Sequence, residues 1–155
     1  MKRSLLLLIA LLQSTLLFAQ NLIETEYMNA FVVVADSAQS YYELREKMFV
    51  LSDELKLEID TIGRGYDANK NLICLPENDA DEMWAGDYPP RRYPDETLSL
   101  EYVAFYDEES PTKTIGLITG IFDSKDKAEA QLNSVIEHSS NAYIINTDIY
   151  MGCTH

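Results

Sequence analysis

Aromatic rings and arginines crowd into one short stretch of this chain. GDYPPRRYPDE, residues 86–96, sets Tyr88 and Tyr93 around Arg91 and Arg92, with Trp84 just upstream. Flat apolar ring faces beside planar, forked donors suit a sugar or a ligand that carries a carboxylate. Pro89, Pro90 and Pro94 stiffen the stretch, so little ordering entropy is lost on binding. The structural alternative is a loop whose aromatics pack over the fold while its arginines pair with Asp87, Asp95 or Glu96.

Other groupings say less. Glu101, with Asp107, Glu108 and Glu109 nearby, has the residue types of a two-carboxylate glycosidase, but the spacing fixes no separation between the acids. Among 26 acidic residues such neighbours arise by chance. Cys74, Cys153, His155 and His138 are zinc-ligand types, yet His138 belongs to a helix, where it suits the C-terminal dipole. No serine stands in a Gly-x-Ser-x-Gly setting, and no glycine-rich phosphate loop precedes a helix. The expectation is a binding protein, not an enzyme, with no catalytic residue, no metal and no cofactor.

Two repeats must position these groups. In Thr114–Met151, TIGLITGIF alternates Ile115, Leu117, Thr119 and Ile121 as a strand, with Gly116 and Gly120 leaving room for a close neighbour or a ligand. Asp123 or Ser124 caps a helix whose Ala128, Leu132, Val135 and Ile136 share one face, and AYIINTDIYM returns as a strand. Earlier, AFVVVA (30–35) is a strand, Leu44, Met48, Leu51 and Leu55 form a helical stripe over about 40–56, and 57–62 is a further strand. Two strand–helix–strand units predict an α+β domain, a ferredoxin-like βαββαβ antiparallel sheet with both helices on one face. An inserted segment at about 66–106 holds the turn GRGYDANKN, the short strand NLICLP, the aromatic loop and the strand LSLEYVAFY (98–106). The second sheet face is expected to be open, with Ile118, Gly116 and Tyr143 or Ile145 flanking it.

Lys2 and Arg3 followed by an apolar run to Leu17 and Phe18-Ala19 match a cleaved secretory signal, residues 1–19. The remaining 20–155 form a single domain with no membrane span. Loss of Lys2 and Arg3 leaves 10 basic residues against 26 acidic ones, a formal charge of −16. Such a surface repels phosphate backbones and anionic lipids, which argues against nucleic-acid or membrane binding. In an exported chain two thiols usually pair, and a Cys74–Cys153 disulfide would add about 4 kcal/mol.

The repeats resemble a SPOR domain, a small module of bacterial envelope proteins. The best match is GLITGIFDSKDKAEAQL (Gly116–Leu132), where Gly120-Ile121-Phe122 stands at the family's Gly-x-Phe turn and Lys127-Ala128 in its helix. AYII (142–145) matches the closing strand, and AFVVVADSAQSYYELREKM fits more loosely, with Asp36-Ser37 in place of Gly-Ser-Phe. The resemblance covers about 70 residues in two blocks. It implies the βαββαβ fold and binding of peptidoglycan glycan on the open sheet face, and with the export signal places the chain in the periplasm or at the outer, extracellular side of a bacterial envelope. Ile118 stands where the family carries a polar residue on that face. An apolar Ile118 suits an alternative role, assembly through an envelope protein partner.

Overall fold

The computed structural model describes residues 26–152. The leader expected at 1–19 lies outside that span, as do Cys153 and His155.

Four strands build one antiparallel sheet in the order β4-β5-β1-β6. β1 (Tyr27–Ala38) runs into helix α1 (Tyr41–Leu55), and β5 (Ile115–Phe122) into helix α2 (Lys125–Ile136) and strand β6 (Tyr143–Tyr150). β4 (Ser99–Tyr102) occupies the second-strand position. The order is that of a ferredoxin-like α+β fold, as the two repeats predict.

The helices form for local reasons. Ser40 accepts a hydrogen bond from the Glu43 N–H, and Lys56 closes α1 in the left-handed conformation. Leu44, Met48 and Leu51 then bury one stripe of that helix against the sheet. Ser124, one of the two expected caps, accepts from the Lys127 N–H at the start of α2. Ala128 and Val135 are buried along that helix, and Leu132 packs half-buried against Val33 and Phe122.

Two expectations fail beyond α1. Residues 57–62 do not form a sheet strand. They touch the outer edge of the sheet through one parallel bridge, Ile59 to Leu98. The chain then turns away at Ile62 and Gly63, both at positive φ, and this turn carries Arg64 inward. Strand β2 (Gly65–Asp67) pairs instead with β3 (Leu72–Cys74) in a separate hairpin, which docks on α1 by stacking Tyr66 on Tyr41 at 4.6 Å. LSLEYVAFY is a strand only to Tyr102, and Val103–Phe105 make a tight 3-10 turn.

The second face of the sheet is not open along β4 and β5. Every residue of both strands is buried. Ile118 is fully buried among Val32, Val34, Tyr106, Ile121 and Ile149. The inserted segment folds back over this face, so Ile118 offers no surface to a ligand. A Cβ on Gly116 would lie 2.9 Å from Val103 Cγ2, and one on Gly120 3.1 Å from the Asp95 carbonyl oxygen. The room left by these glycines is filled by the insertion.

Candidate functional site

The insertion is anchored by a buried charge cluster around Glu101. This residue sits mid-strand in β4, where apolar neighbours give a carboxylate no water. Arg64 reaches it from the turn after α1 and donates twice, Nη1 to Oε2 at 2.8 Å and Nη2 to Oε1 at 2.6 Å. Both side chains are fully buried. Tyr88 donates its hydroxyl to Oε2 at 2.7 Å, and Ser99 donates to Oε1. Arg91 Nε lies 3.6 Å from Oε1.

Burial alone would raise the Glu101 pKa. The hydrogen bonds and charge of Arg64, with Arg91 and Ser99, outweigh it and hold the carboxyl below its usual range. The Arg64 guanidinium is held above its ordinary value for the reciprocal reason. Burial, and next the Glu101 charge, push the Tyr88 and Tyr106 hydroxyls well up, so both stay neutral donors. Glu101 is thus an ionised, solvent-sealed anchor, and Asp107, the nearest of its expected acid partners, instead accepts the Glu109 N–H in an exposed turn.

The same cluster fixes the aromatic loop. Arg64 donates to the Pro89 carbonyl at 3.0 Å and lies over the Tyr88 ring at 4.9 Å. Arg91 donates to the Thr97 carbonyl and hydroxyl, and Tyr106 donates to the Arg91 carbonyl at 2.9 Å. Of the expected binding residues, Tyr88 and Arg91 are therefore inside the protein. They hold the loop down: the Tyr88 hydroxyl and Arg91 Nη1 find hydrogen-bond partners here, while Arg91 Nε and Nη2 are buried with only the nearby Glu101 charge to offset them.

Arg92 is half-buried and clamps the end of β6, donating to the Tyr150 carbonyl at 3.3 Å and the Gly152 carbonyl at 3.0 Å. Trp84 is half-buried in the turn before Gly86, and Tyr93 is 60% exposed. Arg92, Trp84 and Tyr93 keep accessible surface, but the structure does not gather them around one pocket.

What the loop does create is a ridge at Phe105, 54% exposed at the end of the 3-10 turn. A groove of about 370 Å³ lies on one side, lined by Leu72, Tyr88, Tyr102, Ala104, Thr112 and Lys113. A second, of about 260 Å³, lies on the other, lined by Tyr27, Pro90, Arg92, Tyr106, Asp148 and Tyr150. Tyr27 and Tyr150 pair at 5.3 Å between ring centres. Phe105 and Tyr27 are additions to the expected set; spacing alone gave no sign that the turn would expose the one and the sheet end the other. Arg64 was findable, since a glutamate inside an apolar strand requires a buried cation.

No cluster of three or more His, Cys, Asp or Glu side chains that could hold a metal occurs among the described residues. His138 lies beyond α2, with Nδ1 2.8 Å from Glu54 Oε2. Cys74 is buried in β3, where burial pushes its thiol up, and its expected disulfide partner Cys153 lies outside the described residues. No helix among the described residues is long and apolar enough to cross a membrane.

Fold and site together define a ferredoxin-like sheet with one face capped by a charge-anchored insertion. Comparison with protein-family models, curated proteins and solved structures finds no match to this chain.

Proposed function

We propose that this chain is a non-catalytic binding module of the bacterial envelope that takes peptidoglycan glycan, or a related carbohydrate, along the Phe105 ridge. The supporting observation is the groove between Phe105 and the Tyr27–Tyr150 pair, where exposed rings alternate with Arg92 and Asp148. Sugar rings stack their apolar faces on aromatics and hydrogen-bond through their edges, so separated rings with polar groups between them fit a glycan. The SPOR resemblance and the secretory signal expected at residues 1–19 support the envelope setting. A Cys74–Cys153 bridge belongs to the same proposal.

A protein partner is the second reading, and one observation favours it. The groove beside Leu72, Tyr102 and Ala104 is almost wholly apolar, as a pocket for a partner's side chain would be.

Co-sedimentation with purified sacculi, before and after amidase removes the stem peptides, tests the glycan proposal. Pelleting that rises after amidase and is lost in Phe105→Ala is expected. Equal failure on both preparations would leave the protein-partner reading.

A further inference from the structure

The two edges of the main sheet are treated differently. On the β4 side, the Asp60 N–H donates to the Leu98 carbonyl at 3.0 Å, and the Leu98 N–H to the Glu58 carbonyl at 2.8 Å. The β2–β3 hairpin packs beyond, with the Ile73 N–H donating to the Tyr102 hydroxyl. On the β6 side, no described strand follows.

β6 lacks most of the devices that blunt an edge, with Asp148 its one charged side chain. YIINTDIY carries no proline and no lysine, runs eight residues, and pairs with β1 in unbroken register. The Met151 N–H donates to the Glu26 carbonyl, so odd-numbered residues face β1 and even-numbered ones face outward. Ile144, Asn146, Asp148 and Tyr150 therefore direct their backbone N–H and C=O groups away from the sheet. Arg92 takes the Tyr150 carbonyl. Among the described residues, the groups of Ile144, Asn146 and Asp148 have no backbone partner.

That free set is symmetric about Asn146, which is what an isologous pairing requires. We propose that β6 pairs antiparallel with β6 of a second copy of this chain, about a twofold axis at Asn146. Ile144 then exchanges both backbone bonds with the partner's Asp148, and Asn146 with the partner's Asn146. On the other pleat, Ile145 faces the partner's Thr147 and Tyr143 the partner's Ile149. The only charge in the strand, Asp148, meets an isoleucine, so no like charges are directly opposed. The axis stands perpendicular to the sheet. Both helix layers lie on one side of the joined sheet, and both Phe105 ridges on the other, where one polymer could engage two sites.

The pairing stands whether or not the ligand is a glycan. A single strand edge is a small interface, so association in the micromolar range is expected. Sedimentation equilibrium of the purified protein over roughly 5–500 µM should show the mass rising from monomer toward dimer. Each copy carries a formal charge of −16 once the leader, with Lys2 and Arg3, is gone, so added salt should strengthen the association. Asn146→Pro removes an outward N–H without touching a β1 bond, and it should abolish the dimer while the thermal midpoint moves by only a few degrees. Asn146→Lys, which sets two cations face to face on the axis, should do the same should the proline variant not fold. A wild-type protein that stays monomeric throughout, or an Asn146→Lys protein that dimerises like wild type, would overturn the proposal.

Discussion

Glu101→Gln is the sharpest perturbation of the buried cluster. It keeps the side chain's shape and removes its charge. Arg64, with a fully buried side chain, and Arg91, 4% exposed, would then be left without their shared carboxylate. Breaking a buried pair by removing one partner costs about 3–5 kcal/mol, because the surviving charge is stranded. For a domain of this size that is a fall of roughly 10–20 °C in thermal midpoint. The pH dependence gives a second handle. The Glu101 pKa is lower in the fold than its unfolded value of 4.5, so its contribution is present above that value and is lost as pH falls through the folded one. The gap between wild type and Glu101→Gln in urea melts should therefore be widest near neutrality and shrink in acid. Arg64→Met with Glu101→Leu, which removes charge on both sides, should be less damaging than Glu101→Gln alone. A Glu101→Gln protein within about 0.5 kcal/mol of wild type at neutral pH would refute the claim that this pair anchors the insertion.

Further outcomes follow from the same geometry. Gly120→Ala should destabilise by about 1–3 kcal/mol in denaturant titration, since its Cβ meets the Phe122 ring and the Asp95 backbone oxygen cannot yield. Phe105→Ala should leave stability within about 1 kcal/mol and weaken ligand binding at least about tenfold, because the exposed ring has few packing partners to lose. Arg91→Ala, by contrast, should show a large stability loss in a thermal melt, since its guanidinium is a buried tie to Thr97 and Glu101. Denatured, unreduced protein should take up no thiol reagent, as the proposed Cys74–Cys153 bridge requires; two labels per chain would remove it.

The two repeats were legible because helix stripes and strand alternation are local signals. Leu44, Met48 and Leu51 mark α1, and Ile115 to Phe122 mark β5, whatever lies elsewhere in the chain. The position of the second strand is set by a non-local contact. LEIDTI and LSLEY both read as strands, and the choice between them rests on Arg64, 37 residues from Glu101, which is drawn inward by a turn at positive φ. The aromatic loop stands out in the sequence, but its residues divide between two roles in a way that spacing cannot show. Tyr88 and Arg91 face the buried carboxylate, and Arg92 and Tyr93, their sequence neighbours, remain at the surface. The open face implied by two bare repeats was closed by the insertion, whose long-range contacts leave no periodic mark.

The most direct test of the central claim is a backbone amide NMR titration of the isotope-labelled protein with soluble glycan released by amidase treatment. Saturable shifts confined to Ala104–Tyr106, Arg92–Tyr93 and the Tyr27–Tyr150 end of the sheet are predicted, with α1 and α2 unmoved. No shifts at saturating glycan, or shifts centred on the helices, would contradict the account.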